Sequence, residues 1–269
     1  MTTSEREKIE DQIIDSDLSK NDNYHNKYFI RIGSKNRNFI EVNFSHTYFE
    51  NCYFRNVTFN SCNFNGCKFN NCNFHNSTFI DCNFDYATFE KSYIDSSILD
   101  TNLSKFNNLR AKFARTLRIN FQSIGDQEAV NKAIKVELKA KSEHLFDCWY
   151  SSERYYRDKY QDIERLKVFI EWLWFKLQDL IWGNGEKPKN LIKLGFLLWI
   201  LATIYDTIAF KNWNLVNNYF DSLIEVPTYF LGVNKPSKYS NFYITSLASI
   251  RLIGFALFTS LIIKRYSRR

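Results

Sequence analysis

The chain has 269 residues with 36 basic and 29 acidic side chains, a formal net charge of +7, and 45% of it is apolar. The surplus is uneven: residues 1–30 carry four basic and seven acidic side chains and residues 31–109 seven of each, so all of it arises beyond residue 109. The N-terminal part therefore offers no basic field to a polyanion, and nucleic acid is not an expected partner.

Residues 1–30 read as a polar N-terminal segment and cap. From Phe39 an aromatic or aliphatic residue falls on every fifth position, through Phe44, Phe49, Phe54, Phe59, Phe64, Phe69, Phe74, Phe79, Phe84 and Phe89 to Ile94 and Leu99. Helical burial needs a period of about 3.6 and strand burial a period of about 2. A period of five means a chain that turns a corner every five residues and stacks on itself as a solenoid. Small residues stand two places before the centres, among them Cys52, Val57, Cys62, Cys67, Cys72, Ser77, Cys82 and Ala87, and line the same interior. Three places before come Asn51, Asn56, Ser61, Gly66, Asn71, Asn76 and Asp81, types that tolerate positive φ and read as corners.

Over residues 37–101 this pattern resembles the pentapeptide-repeat family. The resemblance implies a short right-handed quadrilateral β-helix within residues 31–109, of about three coils and ~15 Å tall at a strand spacing of ~4.8 Å. Some members of that family mimic DNA with a long acidic surface. A short neutral coil lacks that field. Five of the six cysteines stand in the small column at spacings of five or ten, which suit neither a zinc pair nor a redox motif. They read as core filler, free of metal, and buried thiols suit a reducing compartment.

Residues 110–190 read as a helical connector. Asp126 is a candidate N-cap for a helix whose stripe runs through Val130, Ile134, Leu138, Leu145 and Trp149. A second helix, from Asp162 to Trp182 and ending at Gly183, sets Phe169, Trp172, Phe175 and Trp182 among Glu171, Lys176 and Asp179. Those charges exclude a membrane span and leave two readings, an interfacial helix on the inner leaflet or packing against the first helix.

Residues 191–269 read as a membrane module. Leu194–Phe210, extended by Leu191 and Ile192, and Tyr243–Ile263 each approach the ~20 apolar residues that cross a bilayer. The second holds one intramembrane charge, Arg251. Lys187, Lys189 and Lys193 precede the first span and Lys264, Arg265, Arg268 and Arg269 follow the second, whereas only Lys211, Lys235 and Lys238 lie between. Both termini are thus expected in the cytoplasm, with two spans in a bacterial inner membrane, and the opening residues show no signal peptide. Trp172, Trp174, Trp182, Trp199 and Trp213 suggest aromatic belts at its boundaries.

The loop at residues 211–242 is expected to hold a short helix from Asn217 to Val226, halted by Pro227. A span, a short amphipathic helix, a glycine-bearing loop and a second span resemble the ion-channel-like proteins in which pentapeptide repeats precede a potassium-channel-type pore module. The similar stretches are residues 125–137, 182–205 and 220–269. That resemblance implies a re-entrant pore loop comprising Asp221, Glu225, Thr228, Tyr229, Phe230, Leu231, Gly232, Val233 and Asn234. Potassium filters carry a Thr two places before the first Gly and a second Gly two places after it. Phe230 and Asn234 stand there instead, so potassium selectivity does not carry over.

The expected class is a β plus α membrane protein: β-helix, helical connector, and two transmembrane helices with a re-entrant loop. His25, His46, His75 and His144 are scattered, and no phosphate loop or nucleophile constellation accompanies them. No enzyme activity, cofactor or metal is expected. Two functions fit. One is a homo-oligomeric, ion-channel-like protein in the lipid bilayer with a cytosolic sensing or assembly coil. The other is a membrane-anchored scaffold whose coil docks a cytosolic protein partner.

Overall fold

A computed structural model describes residues 6–234 and 239–266; Lys235, Lys238, Arg268 and Arg269 lie outside them. Its contacts divide the chain into two compact units, Met1–Ile170 and Glu171–Arg269.

In the first unit the five-residue period becomes a parallel β-solenoid of about four turns. Its strands are β1 (Lys8–Glu10), β2 (Ile13–Ile14), β3 (Tyr28–Ile30), β4 (Gly33–Lys35), β5 (Asn38–Ile40), β6 (Tyr48–Glu50), β7 (Tyr53–Arg55), β8 (Thr58–Asn60), β9 (Lys68–Asn70), β10 (Thr78–Ile80) and β11 (Thr88–Glu90). They form three sheets, ordered β1-β3-β6-β9-β11, β2-β4-β7 and β5-β8-β10. The pairing repeats every twenty residues, as in Phe29 on Phe49, Phe49 on Phe69 and Phe69 on Phe89.

This return puts like side chains on top of one another. Phe44 stacks on Phe64 at 5.2 Å and Phe64 on Phe84 at 4.9 Å, while Phe49, Phe69 and Phe89 stack at 4.8 and 4.6 Å. Those separations are the strand spacing itself, so the backbone ladder sets the aromatic columns. The corners are where the sequence pattern puts them: every fifth residue from Asn26 to Lys91 has φ between 48° and 68°. Asn and Gly accept that region cheaply, while Arg31, Glu41, Tyr86 and Lys91 are held in it by the coil around them.

The small column does more than fill space. Cys52, Cys62, Cys67, Cys72 and Cys82 each direct Sγ at the carbonyl twenty-three residues back, Cys67 to Phe44 O at 3.0 Å and Cys62 to Phe39 O at 3.2 Å. Ser77 and Ser92 donate in the same way, to Phe54 O at 3.1 Å and Phe69 O at 3.4 Å. The column thus supplies donors to buried carbonyls, which explains small polar types over plain Ala. Its cysteines are free thiols, and burial pushes the Cys67 thiol well above its ordinary value.

The coil begins earlier than the sequence pattern shows. Strands β1 to β3 occupy residues read as a polar cap, and Lys8 to Glu10 pair in register with Tyr28 to Ile30. Here Ile9, Ile14 and Ser34 replace aromatic centres, and Leu18 rather than Ser19 takes the place beside Phe39. An end coil is covered on one side only, so the pattern loosens while backbone pairing continues.

The C-terminal end is closed by helices α1 (Ile98–Thr101) and α2 (Asn107–Ile124). Asn102 continues the small column, accepting from Cys82 N at 2.8 Å and donating to Phe79 O at 2.9 Å. On α2, Asn120 bonds both backbone groups of Ser92, and Phe113 stacks on Phe84 at 5.5 Å as the next member of its column. Helix α3 (Gln127–Tyr150) is capped by Asp126, whose carboxylate accepts from Ala129 N at 2.9 Å. It runs antiparallel to α2, tied by Arg118 to Glu137, Arg110 to Glu143 and Asn107 to Asp147. Helices α4 (Arg154–Lys159) and α5 (Asp162–Trp182) follow, and Arg157 and Arg165 donate to Cys148 O and Trp149 O at the end of α3.

Because Phe64 is 1% exposed and sits mid-column, Phe64→Ala is expected to cost about 3–5 kcal/mol in a denaturant titration. The same change at exposed Tyr86 is expected to cost well under half of that.

Candidate functional site

The second unit holds α6 (Pro188–Phe210), α7 (Val216–Leu231) and α8 (Asn241–Tyr266). Two of its helices are long and apolar enough to cross a membrane: Pro188–Phe210, of 23 residues, and Asn241–Lys264, of 24. At 1.5 Å per residue each exceeds a hydrocarbon core of about 30 Å. They run antiparallel. Lys264 at the end of α8 bonds Gly185 O and Glu186 just before α6, and at the opposite end Tyr205 of α6 stacks on Tyr243 of α8 at 5.6 Å. Tyr239 joins that end, packing on Phe210 at 4.6 Å and on Tyr229 at 5.6 Å.

Helix α7 packs against both α6 and α8. It does not stop at Pro227 as the sequence suggests, but continues to Leu231. Proline removes the amide that would bond the carbonyl four residues back, here that of Leu223. Trp199, on α6, fills the vacancy with its indole Nε1 at 3.0 Å from Leu223 O. The donor comes from 24 residues upstream, where a reading of local sequence does not look.

Helix α7 ends at Gly232, φ +76°, with Gly232 N on Tyr229 O at 3.1 Å and Val233 N on Thr228 O at 2.9 Å. This is a Schellman stop, so the Leu231-Gly232 pair that resembles a filter is a helix terminus here. Val233 and Leu231 are exposed. Asn234 donates to Thr228 Oγ1 at 3.3 Å, and Thr228 Oγ1 donates to Glu225 O at 2.7 Å. Arg251 reaches Phe230 O from α8 at 3.3 Å, placing a cation on the partially negative end of α7. A Cβ on Gly232 would lie 2.5 Å from the Arg251 guanidinium, so the close approach uses the glycine.

The acidic candidates part company. Glu225 pairs with Lys211 at 2.9 Å and accepts from Tyr229 Oη at 3.0 Å, whereas Asp221 is exposed one turn earlier. Sequence reasoning missed Asp206, which is 3% exposed near the end of α6. It accepts from Ser222 Oγ at 2.5 Å and from Tyr239 Oη, with Lys211 Nζ at 3.9 Å. Asp206 thereby fastens α6 to α7 and to the approach of α8. An isolated acid near the end of an apolar run was the available signal.

In the coil, His25, His46 and His75 are exposed, and the His25 and His46 rings meet edge to face at 5.6 Å. Among the described residues no group of three or more His, Cys, Asp or Glu side chains is placed to hold a metal.

The family description "Pentapeptide repeats" matches residues 38–76 and 59–95, in eight copies. No curated protein matches the chain. Two trypsin-treated structures of QnrB1, described as a plasmid-mediated fluoroquinolone resistance protein, are 17% and 15% identical to it over 34% of its length, with TM-scores of 0.12 and 0.11. The chain covers 64% and 54% of those two proteins, less than two thirds of either. On the family match, the coil is built of pentapeptide repeats.

The Trp199 and Pro227 pair gives a double-mutant test. Trp199→Phe strands the Leu223 carbonyl and is expected to cost about 1–3 kcal/mol in detergent. Adding Pro227→Ala returns an amide to that carbonyl and is expected to recover much of the loss, a coupling that independent sites would not show.

Proposed function

We propose that this chain is a homo-oligomeric, ion-channel-like membrane protein, in which α6 and α8 cross a bacterial inner membrane and α7 enters the bilayer between them as a re-entrant element. The observation that carries the reading is the seating of α7. A simple anchor needs a short turn between two spans, whereas this hairpin holds a 16-residue helix against both of them, stopped by an αL glycine and tied through its terminal carbonyl to Arg251. Unpaired loop backbone cannot face lipid and two spans cannot enclose a pore, so several copies surround the conducting path. The basic residues at Lys187, Lys189, Lys193, Lys264 and Arg265 support an orientation with the flanking segments, and with them the coil, in the cytoplasm. There the coil serves sensing or assembly.

Selectivity for potassium is not part of the proposal. Gly232 is spent on ending a helix, and the charge beside it is Arg251. Asp221 is the acidic group of α7 left facing outward, so it is the candidate for attracting cations to the mouth. A second reading, the membrane-anchored scaffold with a protein partner on the coil, is favoured by one observation: Glu225, Lys211, Asp206 and Arg251 all find partners inside one chain.

Reconstituted into liposomes, the purified protein is expected to conduct with little discrimination between potassium and sodium. Asp221→Asn should lower the cation-to-anion permeability ratio, and Glu225→Gln should lower thermal stability first. Absence of flux from the intact oligomer would leave the scaffold reading in possession.

A further inference from the structure

We propose that α5 is the assembly helix of this chain, and that the same helix of a second copy covers its exposed apolar seam. Ile163, Leu166, Ile170, Leu173, Leu177 and Leu180 recur at alternating intervals of three and four residues, the a and d spacing of a coiled coil. All six are between 42% and 70% exposed. The opposite side of the helix is already occupied, for Phe175 is buried, and at the edge of the seam the rings of Trp149 and Phe169 meet at 5.0 Å. The helix thus has two apolar faces, and the one with heptad spacing is bare.

Heptad spacing and charge together select the occupant. A helix lying on a leaflet presents a broad apolar arc and a lysine-rich polar face. On α5 exposed Trp174 flanks the seam, but the polar face is not lysine-rich: Asp162, Glu164, Glu171 and Asp179 outnumber Arg165, Lys167 and Lys176. Ile at two of the three a positions, Ile163 and Ile170, beside Leu177 at the third, with Leu at d in Leu166, Leu173 and Leu180, is close to the combination that favours two parallel strands. In that arrangement Asp162 of one copy, at g, faces Lys167 of the other, at e, a complementary charge pair, and the next such pair sets Phe169 against Trp174. The parallel direction rests on the membrane reading, since the spans that follow α5 in both copies enter one bilayer the same way. The seam itself does not.

The test uses the full-length protein in nanodiscs, with Leu173→Cys on the seam and Glu171→Cys, exposed but off the seam, as control. Mild oxidation is expected to cross-link the Leu173→Cys protein into a dimer about 10-fold faster than the control, because d positions of a parallel pair lie within disulfide reach. Ile170→Glu with Leu177→Glu is expected to weaken association about 100-fold or more while helix content holds. Equal cross-linking at the two positions, or unchanged association of the glutamate variant, overturns the proposal. Quenching of Trp174 by brominated lipid without cross-linking at Leu173→Cys assigns the seam to the leaflet and also overturns it. Cross-linking in a protein that carries no ions supports the seam and counts against the channel. Flux without α5 pairing does the reverse.

Discussion

A buried carbonyl must find a donor, and in this chain that requirement decides more than the apolar pattern does. In the coil, each turn stacks at the ~4.8 Å strand spacing. Its inward-facing small residues reach back to bond the carbonyl of the centre below, as Cys67 does to Phe44 and Ser77 to Phe54. Val57 and Ala87 apart, the column therefore has a chemical identity, small and donating. Where the repeats end, Asn102 makes the same bond to Phe79 O from outside the strand pattern, and Asn120 then satisfies both backbone groups of Ser92. Docking of α2 on the coil follows from that handover as much as from Phe113 extending the ring stack.

The same demand recurs at the helix ends. Arg157 and Arg165 satisfy the last carbonyls of α3, and Arg251 satisfies that of Phe230 on α7. A guanidinium is suited to this, being permanently charged and drawn to the negative end of a helix. In a bilayer the need is sharper, because no water is there to compensate. Trp199 bonding Leu223 O beneath Pro227, and Ser222 and Tyr239 converging on Asp206, are what that environment would demand of a hairpin with a helix inside it.

How much of this was legible in the sequence depended on whether the signal was local. The five-residue period located the corners and the ring columns, since each repeat carries its own evidence. The first coil was not legible because Ile9, Ile14 and Leu18 do not announce a centre as Phe does; what defines that coil is pairing with the next one. Helix α2 falls almost wholly in the segment read as a helical connector, but its apolar residues Leu109, Phe113, Leu117 and Phe121 were not singled out, because the surface they cover is the end of the repeat. The extension of α7 past Pro227 and the role of Asp206 both turn on partners brought from other elements, Trp199 in one case and Ser222 with Tyr239 in the other. Of the candidate loop, the sequence indicated the glycine and the departure from a filter, while the helix stop at Gly232 and the pairing of Glu225 with Lys211 arise only in the folded hairpin.

The account stands on the second unit crossing a membrane with the segment between its long helices on the far side from the coil. Single cysteines at exposed Asn214, between α6 and α7, and at exposed Lys139, on α3, test this directly, since the native thiols are buried. With a membrane-impermeant maleimide applied to intact cells, the account predicts labelling of Asn214→Cys at once and of Lys139→Cys only after the membrane is opened. Labelling of both positions, or of neither, before the membrane is opened would contradict it.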